Sequence, residues 1–98
     1  MVIYEVNIKI NKTIYEKYIK WLNHHIKLIL KIDGFINAKK YLIKKESKDY
    51  YISIHYYIES IVKLNRYLNF NAKQMRNEGV KMFPEGIEIT RRILESLQ

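Results

Sequence analysis

The sequence lacks cysteine and has one proline, three glycines and no long apolar run. Without cysteine the chain can form no disulfide and offers no thiolate to a metal. Its apolar stretches fall short of the ~18 uninterrupted residues that a membrane-spanning helix needs. The first ten residues alternate polar and apolar side chains, unlike the continuous apolar core of a secretory signal. We therefore expect a cytoplasmic protein with no membrane partner.

Arginine is also scarce, since it supplies four of the 18 basic residues and lysine supplies 14. The formal net charge of +8 would suit a nucleic-acid-binding protein. Arginine is the better phosphate ligand, however, because its planar fork donates two parallel hydrogen bonds. Isoleucine, lysine, asparagine and tyrosine together make up about half of the chain, as A+T-rich codon usage would produce. We therefore favour codon usage as the reason for the positive charge. Nucleic-acid binding is the less favoured hypothesis.

The hydrophobicity pattern predicts the order βαββαβ within a single domain, residues 1–98. Strands are predicted over residues 2–10, 35–45, 50–59 and 86–97. Helices are predicted over residues 14–32 and from Ser60, as N-cap, to about Gly79. Right-handed crossovers would place the first and third strands in the middle of the sheet. The pattern thus predicts an α+β, ferredoxin-like fold: an antiparallel four-stranded sheet with two helices on one face.

Two helices on one side leave the other sheet face bare. Period-two alternation assigns polar and aromatic side chains of the first and third strands to this bare face: Glu5, Asn7, Lys9, Tyr51, Ser53, His55 and Tyr57. This set is too aromatic for an ordinary solvent-exposed surface and too polar for a hydrophobic core. We therefore expect a second subunit or a ligand to cover it.

Candidate chemistry on the bare face centres on His55 and Glu5, on neighbouring strands. They could act as a general base with an orienting carboxylate, or form a hydrogen-bonded pair inside a dimer interface. Arg91 and Arg92 are adjacent and point to opposite faces of their strand, so one of them should reach Glu5. There it could bind an anion or, as we favour, neutralise the carboxylate.

Trp21 and His25, at positions i and i+4 of the first helix, should touch each other. They are candidate ligand-binding residues, although a histidine at a helix–sheet boundary is more often a packing residue. His24, His25 and His55 do not reproduce the spacing of a metal-binding motif. We therefore predict neither a metal site nor a cofactor.

A scattered set of residues resembles an uncharacterised family of bacterial proteins of about this length, known as a domain of unknown function. The residues that carry the resemblance are Tyr4-x-Val6, Trp21…His25-Ile26, Gly34-Phe35, Tyr51-x-Ser53-Ile54-x-Tyr56, Tyr67…Ala72…Met75-Arg76 and Arg91-Arg92-Ile93-Leu94-Glu95. The resemblance implies kinship with the dimeric α+β barrels, in which two ferredoxin-like subunits press their open sheets together around a cavity. Relatives in that group include small monooxygenases, dehydratases and haem-degrading enzymes, but no catalytic residue carries over from the uncharacterised family.

The leading functional hypothesis is a homodimer that binds a small molecule, with or without transforming it, in a cavity between the open sheet faces. Asn7, Ser53 and Tyr57 are candidate ligand-binding residues beside the pair His55 and Glu5. One alternative is a structural or regulatory homodimer with no catalytic activity. A second is single-stranded nucleic-acid binding through the open face, as in RNA-recognition motifs. Whether the protein is an enzyme stays open at this point.

Overall fold

One antiparallel sheet organises the chain. Its strands are β1 (Val2–Ile10), β2 (Phe35–Leu42), β3 (Tyr50–Ile58) and β4 (Ile87–Glu95), in the spatial order β2-β3-β1-β4. The computed structural model describes residues 1–97, so Gln98, the last residue of the predicted domain, lies outside the described residues. The α+β ferredoxin-like prediction is confirmed, including the central position of the first and third strands.

Helices connect these strands: α1 (Tyr15–Ile29), α2 (Ile61–Phe70) and α3 (Ala72–Met82). A short 3-10 turn over Lys12–Ile14 precedes α1, and the Asn11 side chain accepts a hydrogen bond from the backbone N–H of Thr13. The Ser60 side chain caps α2 as predicted. Within residues 1–97, none of these helices is long and apolar enough to cross a membrane.

The prediction of one helix from Ser60 to about Gly79 is wrong, because the segment forms two helices that meet at Asn71. Asn71 ends α2 through a bond from its N–H to the carbonyl of Tyr67, with a φ of −119° that departs from helical geometry. Asparagine has a low helix propensity, and the side chain of Asn71 makes no capping hydrogen bond to α3. Gly79 does not end α3, which continues to Met82.

The core lies between the helices and one face of the sheet. Alternate residues of β1 and β3 supply its centre, and apolar residues of α1 and α2 cover them. The buried apolar members of the two central strands are Val2, Tyr4, Val6, Ile8, Ile10, Ile52, Ile54, Tyr56 and Ile58. This set matches the face that the period-two pattern predicts, so both faces of the central strands are assigned correctly from sequence.

Gly34 joins the end of the first helical segment to β2 with a left-handed backbone, φ +95°. A Cβ at this position would lie 2.5 Å from Cβ of Lys63 on α2. Its carbonyl accepts a bond from the N–H of Glu59, which follows β3. The turn thus fixes the start of β2 against α2 and the end of β3, and both its conformation and its surroundings require glycine.

Replacing Gly34 by alanine should lower the free energy of unfolding by roughly 2 kcal/mol or more, since the left-handed penalty and the clash act together. Gly86 is the matched control: its φ is +87°, but the atom nearest to an added Cβ is the terminal Cδ1 of Ile14, at 3.0 Å. Gly86→Ala should therefore be the milder change in urea unfolding. If both variants lost the same free energy of unfolding, the predicted clash between a side chain at position 34 and Lys63 of α2 would be wrong.

Candidate functional site

The sheet face that points away from the helices, here called the open face, is made of alternate residues of all four strands. Its centre holds two cross-strand rows, one of Arg92, Glu5, His55 and Lys39 and one of Thr90, Asn7, Ser53 and Tyr41. Apolar and aromatic side chains flank these rows: Ile3, Leu94, Tyr57 and Tyr51. The structure thus brings together five of the predicted site residues, Glu5, Asn7, Ser53, His55 and Tyr57.

Glu5 is the focus of the open face, because its carboxylate is almost fully buried, with 4% of the residue exposed. Arg92 donates two parallel hydrogen bonds to this carboxylate, from Nε to Oε1 at 2.7 Å and from Nη2 to Oε2 at 3.0 Å. The side chain of Asn7 donates a third bond to Oε1 at 2.7 Å. His55 Nε2 lies 3.4 Å from Oε2. The expectation that one arginine of the pair neutralises Glu5 is therefore confirmed.

These contacts decide what Glu5 can do chemically. The hydrogen bond from Arg92 is the main cause that lowers the pKa of Glu5, and burial opposes it. The bond from Asn7 and the electrostatic effects of Arg92 and His55 lower this pKa further. A carboxylate stabilised in this way stays ionised at neutral pH. An ionised carboxylate suits either role of the His55–Glu5 pair, as the orienting group of a general base or as part of a hydrogen-bonded interface, so both interpretations stay predictions.

Lysines lie over two of the open-face tyrosine rings. Lys45 Nζ lies 4.1 Å from the ring centroid of Tyr51, and Lys39 Nζ lies 5.8 Å from that of Tyr57. Both arrangements fall within the range of cation–π contacts. The rings on which nucleic-acid bases would have to stack are therefore already occupied by the protein's own side chains.

A second site lies on the opposite side of the sheet, where a partly enclosed cavity of about 360 Å³ opens between the sheet, α1 and α3. We call it the helix-side cavity. Its floor is formed by buried residues of β1 and β3, including Tyr4 and Tyr56. Exposed lining residues mark its mouth between α3 and β4: Val80, Pro84, Ile89 and Arg91.

Aromatic rings form one wall of the helix-side cavity. Trp21 stacks on His25 with a centroid distance of 4.5 Å and an interplanar angle of 19°. Tyr18 and Phe83 pack edge to face at 5.0 Å, beside Trp21. Gly79 on α3 allows this wall to close, since a Cβ there would lie 2.9 Å from Cη2 of Trp21. The predicted contact between Trp21 and His25 is confirmed.

His25, a polar residue of the cavity lining, has a nitrogen without a hydrogen-bond partner. Its Nδ1 is buried and has no hydrogen-bond partner among residues 1–97. Burial is the main cause that lowers the pKa of His25. A buried nitrogen without a partner is unusual, because an unmade hydrogen bond costs about 1–3 kcal/mol. His25 is therefore neutral near pH 7.

Two arginines add positive charge to the cavity. Arg76 on α3 donates a bond from Nη2 to the hydroxyl of Tyr4 at 2.9 Å. Arg91 on β4 lies close enough that its charge lowers the pKa of three buried tyrosines, against the larger, opposite effect of burial. The net result raises the pKa of Tyr18 and Tyr67 to about 12. No aspartate or glutamate lines the cavity within the described residues.

The structure therefore divides the predicted site residues into two groups on opposite sides of the sheet. Trp21 and His25 lie in the helix-side cavity, whereas Glu5, Asn7, Ser53, His55 and Tyr57 lie on the open face. Sequence reasoning missed the cavity contributions of Gly79 and Phe83. The available signal was a glycine inside a helical pattern, which the prediction treated as a helix end.

Neither group forms a metal site. Within residues 1–97, no three side chains of histidine, aspartate or glutamate come together in an arrangement that could hold a metal ion. The polar chemistry of both sites therefore consists of hydrogen bonds, ion pairs and aromatic contacts.

The pKa of Glu5 leads to a prediction for acid stability. Because this pKa is lower in the folded chain, its contribution is fully present above the ordinary value of 4.5 and is lost as the pH falls through the folded pKa. Glu5→Gln should therefore flatten the acid limb of a plot of unfolding free energy against pH, measured at fixed protein concentration. The same change at the exposed Glu59 is the control, and an unaltered acid limb in Glu5→Gln would contradict the ion-pair analysis.

Solved structures with the same fold have very different sequences. A dimeric ferredoxin-like protein from an uncultured marine organism has a TM-score of 0.77 at 7% identity, covering 99% of this chain and 95% of its own. A protein assigned as an antibiotic biosynthesis monooxygenase from Deinococcus radiodurans has a TM-score of 0.71 at 14% identity, covering 100% and 94%. SnoaB, a cofactor-independent oxygenase from Streptomyces nogalater, has a TM-score of 0.69 at 10% identity, covering 99% and 94%. At these identities the similarity shows the fold alone.

At the sequence level, no curated protein matches this chain significantly. One family model does match, and it spans residues 1–97, nearly the whole chain. The resemblance noted from scattered residues is thereby confirmed: the chain belongs to the family described as a domain of unknown function, DUF4286.

Proposed function

We propose that this protein is a homodimer that binds a small aromatic molecule in the helix-side cavity of each subunit. The observation that carries the proposal is a partly enclosed cavity of about 360 Å³ whose walls include the aromatic rings of Trp21 and Phe83. Protein cores normally fill such spaces. A bound aromatic molecule would fill this one.

The shape and chemistry of the cavity define the expected ligand. Its volume of about 360 Å³ lies at the small end of the range for ligand pockets, which is ~300–1,000 Å³. Rings of Trp21, Tyr18 and Phe83 favour a flat, aromatic body through stacked and edge-to-face contacts. Arg76 and Arg91, with no acidic neighbour in the lining, favour an anionic or electron-rich substituent.

The open face supports the second half of the proposal, pairing with a second copy. Four strands of about nine residues present a face of ~19 by ~30 Å, on the order of 600 Å² per subunit. Two such faces would bury about 1,200 Å², the lower end of the size of stable interfaces. The buried carboxylate of Glu5 already has Arg92 as its partner within the subunit, so pairing would leave no carboxylate unpaired. The side chain of Arg92 is exposed in the single subunit and would lose water on pairing.

Ion pairs on the open face favour self-association over nucleic-acid binding. Lys9 pairs with Glu88 at 3.3 Å, and Arg92 pairs with Glu5. These two pairs reduce the positive potential that would attract a phosphate backbone, and they reduce the repulsion between two copies of the face.

The sequence predicts a ligand cavity between the open faces of two subunits. A single subunit does not test this, so it stays a prediction. A homodimer without ligand or activity is the alternative that the ligand experiment tests. A location in the cytoplasm likewise stays a prediction.

Ligand binding can be followed through Trp21, because it is the only tryptophan of the sequence. We expect 2-naphthoate to quench its emission with saturation, and the cationic analogue 2-naphthylmethylamine to bind at least tenfold more weakly. Gly79→Leu should reduce the affinity for 2-naphthoate at least tenfold, because the added side chain meets Trp21. Asn77→Leu, an exposed change on the same helix, should not.

If 2-naphthoate leaves the emission of Trp21 unchanged at millimolar concentration, the cavity does not bind aromatic anions. Equal binding by the two variants of α3 would place the ligand elsewhere on the protein. Either result would favour the homodimer that binds no ligand.

Adding a charged side chain to the open face tests dimer formation. Thr90 is an exposed residue at the centre of the open face, opposite Asn7. Thr90→Lys should weaken the dimer at least tenfold, since a two-fold axis brings two added charges into one interface. Val62→Lys adds the same charge on an exposed position of α2 and serves as the control. Sedimentation equilibrium over a range of protein concentrations measures the dimer dissociation constant of each variant.

A monomeric wild-type protein at tens of micromolar, or equal dimer stability in the two variants, would contradict pairing through the open face. Urea unfolding of each variant shows whether the subunit itself is intact. Because Thr90 is exposed on an edge strand, we expect little change in that measurement.

A further inference from the structure

We propose that three tyrosine hydroxyl groups in the helix-side cavity, those of Tyr18, Tyr56 and Tyr67, bind the carboxylate of the aromatic ligand beside Arg91. This inference rests on the proposed function, since it requires that the cavity bind an aromatic molecule. It adds the substrate class, which is an aromatic carboxylic acid, and the side chains that select it.

The three tyrosines line the cavity and are almost fully buried, with 2% or 3% of each residue exposed. None of their hydroxyl groups takes part in a hydrogen bond within residues 1–97. Yet among the fully buried polar side-chain atoms of this part of the chain, Nδ1 of His25 is the one without a partner. The tyrosine oxygens are therefore not sealed in the core. Each of them holds part of the small exposed surface of its residue, and the cavity that these residues line is the space it faces.

The three hydroxyl groups share one part of the cavity. The rings of Tyr56 and Tyr67 both pack against the ring of Tyr4, each at a centroid distance of 6.1 Å. The charge that an ionised Tyr67 or Tyr18 would carry raises the pKa of Tyr56, and the charge of Arg91 acts on all three tyrosines. Because such effects fade with distance, the hydroxyls and the guanidinium of Arg91 surround a common space.

These hydroxyls are hydrogen-bond donors at neutral pH. Burial raises the pKa of Tyr18 and Tyr67 to about 12, and it raises the pKa of Tyr56 as well. A phenol in this state keeps its proton and can donate it in a hydrogen bond. A bond of this kind to an anion is shorter and stronger than one between neutral groups.

A carboxylate fits this set of donors. Its two oxygens offer about four positions for hydrogen bonds, and three hydroxyls together with the guanidinium of Arg91 can supply that number. No aspartate or glutamate of the described lining opposes the negative charge. The aromatic body attached to the carboxylate would lie against Trp21 and Phe83. A cationic group would instead meet the positive charge of Arg91.

Tyr4 is the contrasting case of a cavity hydroxyl that the fold itself satisfies. Its oxygen accepts a hydrogen bond from Nη2 of Arg76 at 2.9 Å. Removal of this oxygen deprives the folded chain of a hydrogen bond, whereas the oxygens of Tyr56 and Tyr67 have no partner in the described chain to lose. The two kinds of tyrosine can therefore be distinguished by stability measurements without any ligand.

Changes from tyrosine to phenylalanine test the proposal, since they remove one oxygen and keep the ring. Tyr56→Phe and Tyr67→Phe should each lower the affinity for 2-naphthoate by roughly tenfold or more, because a hydrogen bond to a charged group is lost. Both variants should bind naphthalene, which has no carboxylate, as tightly as the wild type does. Tyr50→Phe, at an exposed tyrosine that begins β3, is the matched control and should leave both affinities unchanged. Equilibrium dialysis, with the ligand followed by its ultraviolet absorbance, measures each dissociation constant.

The two ligands separate this inference from the proposed function. If naphthalene binds and the variants hold 2-naphthoate as tightly as the wild type does, the hydroxyl site is wrong and aromatic binding stands. If neither molecule binds to the wild type, both proposals fall. A variant that also loses naphthalene has lost the cavity, and Tyr18→Phe then takes its place in the test.

Urea unfolding without ligand gives a second, independent result. Tyr4→Phe should lower the midpoint of unfolding, whereas Tyr56→Phe should leave it unchanged at the same protein concentration. An equal loss in the two variants would mean that the hydroxyl of Tyr56 has a partner in the folded chain, and this would overturn the inference.

Discussion

The pairing of β1 with a strand on each side is the constraint on which the rest of the structure depends. β1 runs antiparallel to both β3 and β4, so each of its residues has a fixed partner on either side. Because side chains alternate along a strand, this double register sends Tyr4 and Val6 to the helices and Glu5 and Asn7 to the open face. A slip by one residue would bury the carboxylate of Glu5 in the aromatic core, where nothing could neutralise it.

Glu5 and Arg92 add electrostatic specificity to that register. The guanidinium fork of Arg92 fits the carboxylate with two bonds only when β4 lies in the observed alignment with β1. The adjacent Arg91 is thereby forced to the other face, where it lines the helix-side cavity. One pair of neighbouring arginines thus serves both sides of the sheet, with one charge neutralised and the other left facing the space where a ligand would lie.

Local patterns in the sequence predict most of the fold. The alternation in residues 2–10 and 50–59 predicts β1 and β3 to within one residue, because both strands bury one face completely. The break at Asn71 escapes such reasoning, since apolar spacing continues across it and the φ of −119° at Asn71 is visible only in the structure. The open-face cluster is also predictable, since cross-strand register follows from the order of elements. The cavity is not: it depends on how far α3 lies from the sheet, which the close contact of Gly79 with Trp21 helps to set.

The two sites differ in how their polar groups are satisfied, and this difference bears on function. On the open face, Glu5 has partners for both oxygens from three side chains of its own subunit. A network so complete needs no ligand, and it can be buried against another surface without leaving an unpaired charge. In the cavity, the charge of Arg91 meets no carboxylate in the described lining. Folding alone gives no reason to keep an unneutralised charge beside an open aromatic space, whereas a bound aromatic molecule with an anionic substituent would fill the space and pair with the charge.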